Sequence, residues 1–173
     1  KRDAREVWEK MFANAWKNGD PGVVFIDRIN AGRGNPVPKR GPVESTNPCG
    51  EQPLYPFDSC NLGSLNLQHF TRGEAGAKEV DYERLGTVVR RTVHMLDNVI
   101  EMNHYPIPEI AETSHAIRRI GLGVMGWADM LIDLRIAYNS EAALGLAREV
   151  MSFIQREADA ASQQLAQVRG SFP

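Results

Sequence analysis

The prolines are distributed very unevenly, and this constrains the fold more than any other feature of the sequence. Seven of the ten lie between Pro21 and Pro56. Proline lacks a backbone donor and disrupts a helix interior, so this stretch cannot form a long helix. Breakers are sparse over about 82–168. The sequence therefore predicts an α/β chain whose early part is mostly strand and loop and whose portion over about 82–168 is mostly helix.

Apolar residues at helical spacing predict the helices. Over Asp3–Lys17 they form one face that includes Trp8 and Trp16, which we interpret as core or domain-packing surface. Asn18–Gly22 holds the Gly and Pro signals that end a helix. Further helices are predicted over Tyr82–Met102, Pro108–Arg118, Trp127–Leu134 and from Glu141 to about Val168.

Short apolar runs predict the strands. Val23–Ile26 is a continuous apolar run and is expected to be a strand buried on both sides, as in a parallel sheet. Leu62–Phe70 and Ile120–Val124 are the other strand candidates. The Gly- and Pro-rich segment from Asn30 to Thr46 is expected to be a long loop, and loops of that length are usually functional or disordered.

Composition excludes several classes of function. The chain has 20 Lys and Arg against 22 Asp and Glu, so it has no overall attraction for DNA, RNA or anionic lipid. No apolar run approaches the roughly 20 residues that span a bilayer, and no signal peptide is expected. Two cysteines make neither a disulfide scaffold nor a four-cysteine zinc site, which favours a reducing, cytoplasmic setting.

The segment with the clearest chemistry contains Asn47, Cys49 and Glu51. In an extended segment these alternate residues would place an amide, a thiol and a carboxylate on one side. Pro48 would stiffen the segment, and Gly50 would allow close approach of a substrate. An amide orients hydroxyls, a carboxylate can act as a general base, and a thiol can act as a nucleophile or redox centre. Spacing alone leaves open a buried packing cysteine, an Asn-Pro turn and a solvated glutamate.

Other motifs are weaker. Gly121–Gly126 fits G-x-G-x-x-G, but Arg118-Arg119 precedes it and Glu141 opens a helix rather than ending a second strand, so tight packing is favoured over a dinucleotide site. The arginine pairs are expected to be solvated or ion-paired. The histidines show no metal-ligand spacing, and no metal site is expected: His69, His94, His104 and His115.

Asn47-Pro48-Cys49-Gly50-Glu51, followed by Cys60 in Ser59-Cys60-Asn61-Leu62-Gly63-Ser64, resembles the catalytic large chain of ribonucleotide reductase. Gly22–Asn30 resembles the family's strand before the active-site loop, and Arg118–Asp129 its later strand and helix. Gly170–Pro173 resembles the start of a further segment. The resemblance implies that residues 1–173 are part of a ten-stranded α/β barrel with a central finger loop at about 45–62.

The resemblance also implies roles. Cys49 would carry a transient thiyl radical that takes hydrogen from ribose C3′, and Glu51 would accept the proton of the 3′-hydroxyl. Asn47 would bind the ribose hydroxyls, and Ser45 would be a further substrate contact. Cys60 would be one member of the dithiol that completes the reduction. The other member is expected upstream and the phosphate-binding segment downstream, so we expect a fragment that is inactive alone.

The resemblance is closest to the adenosylcobalamin-dependent class, with a dimetal-tyrosyl radical on a separate subunit as the alternative. The implied partners are a ribonucleoside di- or triphosphate, a thioredoxin-type reductant and nucleotide effectors, in a homodimer that binds neither DNA nor membrane. The competing hypothesis is a nucleotide-binding module that uses the Gly121–Gly126 turn. A third is a helical partner-binding domain.

Overall fold

The computed structural model describes residues 2–172, so Lys1 and Pro173, the last residue of the Gly170–Pro173 motif, lie outside it. The chain divides after Pro56 into two compact units, and each is considered by itself. Across the described residues, strands pair into three two-stranded sheets, which makes the chain mixed α/β without a ten-stranded barrel of its own. No helix in that range combines the length and apolarity needed to cross a bilayer.

The first unit opens with the expected helix, α1, over Ala4–Asn18. Asp3 caps its start by accepting from the Arg5 N–H at 2.7 Å, and Gly19 ends it with a φ of 84°. Both are ordinary helix-capping devices. The apolar face is not part of a core in the described chain, since Trp16 is 92% exposed.

The predicted strand over Val23–Ile26 is wrong. Residues 23–25 are irregular, and a short helix, α2, runs over Ile26–Ala31. The Asn30 side chain donates to the Ile26 carbonyl oxygen at 3.1 Å, which stabilises this turn. A strand needs a hydrogen-bonded partner, and residues 2–172 provide none for this run. The rest of the unit holds a 3₁₀ turn over Pro38–Arg40 and an antiparallel pair, β1 (Ser45–Thr46) and β2 (Pro53–Leu54).

The second unit contains most of the regular structure. Its strands are β3 (Asn61–Asn66), β4 (Thr71–Arg72), β5 (Glu79–Val80) and β6 (Ile120–Met125). Its helices are α3 (Tyr82–Met102), α4 (Pro108–Ile117), α5 (Trp127–Asp133) and α6 (Glu141–Arg169). All four predicted helices are confirmed within one residue. The predicted strand over Leu62–Phe70 is confirmed only to Asn66, because Leu67–Phe70 forms a 3₁₀ turn.

The second unit is organised around a parallel pair of strands. β3 and β6 pair from Asn61 opposite Ile120 to Asn66 opposite Met125. Helix α3 packs on β3 where Gly63 lacks a side chain, and a Cβ there would lie 3.5 Å from Leu96. Full burial of large apolar side chains stabilises this core by about 1.5–3 kcal/mol each. The buried core cluster comprises Leu65, Leu67, Phe70, Leu85, Val89, Met130, Val150 and Ile154.

The glycines of the G-x-G-x-x-G match have structural positions. Gly121 and Gly123 lie inside strand β6, whereas a dinucleotide fingerprint has its glycines in the turn after a strand. Gly126 has a φ of 70°, and a Cβ there would lie 2.0 Å from Asn66 Oδ1. Close packing therefore explains this glycine, as the sequence analysis expected.

An ion-pair network joins three helices of the second unit. Asp97 on α3 is 7% exposed and accepts from Arg118 Nε at 2.8 Å and from Arg169 Nη1. Arg118 also pairs with Glu101, which confirms that this arginine is ion-paired. Burial alone would raise the pKa of the Asp97 carboxyl, but the hydrogen bonds and charges of Arg118 and Arg169 outweigh it and hold the pKa below its usual value.

We expect Asp97→Asn to destabilise α3 in the full-length protein by about 2 kcal/mol at pH 7, the scale of a hydrogen bond to a charged group. Because the folded-state pKa is lowered, this stability is present above the unfolded-state pKa of about 4 and is lost as the pH falls through the folded value. Hydrogen exchange of the α3 amides measures the effect. The difference from wild type should shrink toward pH 3, and the exposed Asp159→Asn is the control. An equal loss of α3 stability at pH 7 and at pH 3 would contradict the assignment of this stability to the ionised Asp97 carboxylate.

Candidate active site

Asn47, Cys49 and Glu51 lie in the six-residue turn between β1 and β2. The extended geometry expected for them is wrong. The Gly50 N–H donates to the Asn47 carbonyl oxygen at 3.0 Å, which closes a tight turn with Pro48 and Cys49 at its centre. Proline is favoured at this second turn position, and Gly50 takes a φ of 81° that other residues rarely adopt. The chain therefore reverses at Cys49 instead of passing straight through it.

The side chains of this turn differ in their environment. The Oδ1 atom of Asn47 accepts from the Gln52 N–H at 2.9 Å, so the amide is fixed at the base of the turn. Cys49 and Glu51 are exposed at and just after its tip. Ser45 is exposed on β1, and its hydroxyl donates to the Thr46 carbonyl oxygen at 3.4 Å. A thiol and a carboxylate thus project from a turn that the Asn47 amide helps to hold closed.

A network of buried and part-buried polar side chains fixes the two ends of the hairpin. Asn30 accepts from the Val43 N–H at 2.7 Å and donates to the Val43 carbonyl oxygen at 2.9 Å, two residues before β1. Asn35 is buried and donates to Asn30 Oδ1 at 3.1 Å. The Tyr55 hydroxyl, directly after β2, donates to Asn35 Oδ1 and accepts from the Val37 N–H at 3.0 Å. Both ends of the hairpin are therefore attached to one polar network.

The sequence analysis missed Asn30, Asn35 and Tyr55. They lie in or beside a Gly- and Pro-rich segment that was treated as a loop without internal structure. The available signal was the pair of asparagines in a loop, since asparagine amides commonly replace missing backbone hydrogen bonds. A fully satisfied buried network of this kind rigidifies what it contacts.

Cys60 belongs to the second unit, directly before β3, and it is half-buried. It forms no disulfide with Cys49. It lines a cavity of about 90 Å³ together with Asn61, Tyr105, Ser114 and Arg119. The Oδ1 atom of Asn61 is buried and accepts no hydrogen bond from residues 2–172.

The residues before Cys60 make two further side-chain contacts. Asp58 Oδ2 accepts from Arg119 Nε at 2.7 Å, and both side chains are buried. Asp58 Oδ1 accepts from the Ser59 N–H at 2.9 Å, and Ser59 Oγ lies 2.7 Å from Ser114 Oγ. The expectation that Arg119 is ion-paired is confirmed.

The structure therefore groups the predicted site residues into two sets. Asn47, Cys49 and Glu51 share one turn, and Cys60 lies in the other unit. In the described range, no group of three or more His, Cys, Asp or Glu side chains is arranged to hold a metal ion. An exposed thiol and an exposed carboxylate on a turn that also holds an amide would suit a polyhydroxy substrate, because these groups can bind hydroxyls and accept a proton.

The whole of residues 1–173 matches the family model described as "Ribonucleotide reductase, barrel domain". The chain therefore belongs to the ribonucleotide reductase barrel-domain family. It is 51% identical over 170 residues to a vitamin B12-dependent ribonucleoside-diphosphate reductase of Thermoplasma acidophilum, and 49% identical to one of Mycobacterium tuberculosis. It covers 22% and 24% of those proteins, which cover 98% of it in turn.

A solved structure shows the same fold. The class Id ribonucleotide reductase alpha subunit of Actinobacillus ureae matches with a TM-score of 0.78 and 26% sequence identity. That match covers 96% of this chain and 32% of the other. The chain thus spans about a quarter of the length of these two vitamin B12-dependent relatives and about a third of this structural neighbour.

Proposed function

We propose that the full-length protein containing this chain reduces ribonucleotides to deoxyribonucleotides, and that the Asn47–Gln52 turn carries the radical chemistry. The observation that carries the proposal is the exposed Cys49 thiol at a turn whose two flanks are tied to a buried amide network. The names of the relatives at 51% and 49% identity support the same activity.

In the proposed reaction the Cys49 thiyl takes a hydrogen atom from ribose C3′. Glu51 accepts the proton of the 3′-hydroxyl, which assists departure of the 2′-hydroxyl as water. Asn47 binds the ribose hydroxyls, with Ser45 as a further contact. The overall balance is one ribonucleotide plus two thiols giving one deoxyribonucleotide, one water and one disulfide, while the Cys49 thiyl is regenerated.

Cys60 supplies one of the two thiols, and a cysteine elsewhere in the full-length protein supplies the other. The resulting disulfide is then reduced by an external dithiol protein of the thioredoxin type. We propose the cytoplasm as the compartment, because a chain of this length with two cysteines is not a disulfide scaffold.

We propose adenosylcobalamin as the radical source, because the two relatives near 50% identity are named as vitamin B12-dependent. A Chlamydia pneumoniae relative whose name does not mention vitamin B12, a reductase subunit alpha, is 36% identical. When bound, this cofactor would supply the radical chemistry that removes the hydrogen atom from the Cys49 thiol. The exposed position of Cys49 at a turn tip fits delivery of a radical from outside the loop.

We further propose that the chain is part of a ten-stranded catalytic barrel in which the turn forms the tip of a central finger loop. The names of the relatives favour a ribonucleoside diphosphate as substrate over a triphosphate. We also propose that the full-length protein responds to nucleotide effectors and forms a homodimer. The nucleotide-binding alternative is not retained, because two of the three glycines of its motif lie within strand β6 and close packing explains the third.

The proposal is tested by measuring deoxyribonucleotide formation by the full-length protein with adenosylcobalamin, a ribonucleoside diphosphate and a dithiol. Glu51→Gln should lower the rate by about 10²–10⁴-fold, the usual contribution of a general base. Glu44→Gln, at an exposed position beside the same hairpin, is the matched control and should retain the rate. A wild-type protein that makes no deoxyribonucleotide, or a Glu51→Gln variant equal to the control, would count against the proposal.

A further inference from the structure

A buried ion pair involves a residue that shares a cavity with Cys60. The Asp58 side chain is 0% exposed and that of Arg119 is 8% exposed. Asp58 is two residues before Cys60, and Arg119 lines the same cavity of about 90 Å³ as Cys60. The pair therefore places two buried charges close to one thiol.

A gain in folding stability is a weak explanation for the presence of a buried ion pair. The desolvation of two buried charges commonly cancels their attraction, and apolar replacements are often as stable. Separating the two partners would leave an uncompensated buried charge, so the two side chains are held against each other. The benefit is therefore expected in the position of the neighbouring groups.

The contacts around the pair immobilise the segment that ends at Cys60. Asp58 uses one oxygen for Arg119 and the other for the Ser59 N–H. Ser59 contacts Ser114, which is 2% exposed on α4. Strand pairing begins one residue after Cys60, where Asn61 lies opposite Ile120, so Cys60 and Arg119 directly precede the two paired strands.

We propose that Asp58, Arg119 and Ser114 are positioning residues for Cys60, which hold its thiol at the cavity for the reductive step. The proposal rests on the proposed function and assigns no contact with substrate to these three residues. A displacement of about 1 Å in a reacting group can cost about a hundredfold in rate, so loss of the contacts should act on the step that needs Cys60.

Four variants of the full-length protein test this. Asp58→Asn leaves the Arg119 charge without its carboxylate, and the double variant Asp58→Asn/Arg119→Gln removes both charges. Ser114→Ala removes only the hydroxyl contact and leaves the Asp58–Arg119 ion pair in place, so it tests the proposal even if Asp58→Asn does not fold. Asp133→Asn, which breaks the Lys78–Asp133 ion pair of the same unit, is the matched control for Asp58→Asn.

Two measurements are made on each. The first is the pH dependence of alkylation of Cys60 by iodoacetamide, resolved by mass spectrometry, with Cys49 in the same molecule as the reference. The second is deoxyribonucleotide formation over many turnovers, compared with the substrate-radical signal in electron paramagnetic resonance. The alkylation measurement needs no enzymatic activity, so failure of this proposal and failure of the proposed function are distinguishable.

We expect Asp58→Asn to shift the alkylation midpoint of Cys60 to lower pH, because an unneutralised cation favours the thiolate. The double variant should return the midpoint toward wild type, which loss of folding would not do. Ser114→Ala should lower multiple turnover about tenfold while the radical signal persists. Alkylation and turnover in Asp58→Asn and Ser114→Ala that match Asp133→Asn would overturn the proposal.

Discussion

Cys49→Ala is expected to abolish deoxyribonucleotide formation by the full-length protein, by about 10⁶-fold, the scale of losing a sole reactive nucleophile. Alanine cannot form the sulfur-centred radical, and an unactivated ribose C–H bond is not broken by ordinary acid–base chemistry. Under the proposed function Cys60 does not replace Cys49, because it acts in a different step of the reaction.

The measurement is turnover together with electron paramagnetic resonance of the substrate radical, and both signals should disappear. Glu44→Gln, at an exposed site on the flank of the same hairpin, should retain both and so control for general damage to the loop. Cys49→Ser is the isosteric comparison and should behave like alanine. If Cys49→Ala kept dithiol-dependent formation of deoxyribonucleotide, the assignment of the turn would be wrong.

Cys60→Ser is expected to separate initiation from reduction. A serine hydroxyl cannot join a disulfide, so the two electrons needed to complete each turnover are no longer available at that position. Multiple turnover with an external dithiol should fall by about as much as in Cys49→Ala. Radical formation should persist, since Cys60 takes no part in hydrogen abstraction under the proposed function.

The contrast between the two cysteine variants is the informative result. Radical formation without turnover in Cys60→Ser, and neither in Cys49→Ala, would place the two thiols in successive steps. Loss of the radical signal in both variants would contradict that order. Ser162→Ala, a partly buried side chain elsewhere in the second unit, should change neither measurement.

Helical spacing was a good predictor where packing and periodicity agree. Helix α3 begins and ends at the predicted residues, and Leu85, Val89 and Leu96 of its apolar stripe are buried. The stripe on α1 has the same spacing but is exposed in this chain, with Trp8 54% accessible. Periodicity identifies the helix, whereas burial depends on what else packs against it.

Two local predictions failed because the decisive interactions are not visible in an apolar pattern. The run at Val23 was interpreted as a strand, but the Asn30 amide stabilises a helical turn at Ile26 instead. The Cys49 segment was expected to be extended, but a hydrogen bond from Gly50 to Asn47 reverses it. Both outcomes involve backbone or amide contacts between residues three to five positions apart.

Residue type and order, together with the resemblance, led to Asn47, Cys49 and Glu51 as candidate site residues, and their roles stay a prediction. The buried contacts that hold the segments carrying these residues in place could not be predicted from residue type and order. The buried bonds of Tyr55 to Asn35 and Val37 join residues 18 to 20 positions apart, and Asp58 meets Arg119 across 61 positions. Pairs at such separations follow from the fold as a whole and leave no local pattern.

The fixed amide of Asn47 has a consequence for the polarity of binding at the turn. Its oxygen already accepts from the Gln52 N–H, so its NH₂ group is the better placed part for a ligand. When an NH₂ group donates to a ribose hydroxyl, the hydroxyl oxygen accepts through a lone pair. The hydrogen of that hydroxyl can then be donated to another group. In the proposed reaction that hydrogen would be directed to the Glu51 carboxylate, so the closed turn would set the direction of proton transfer before substrate arrives.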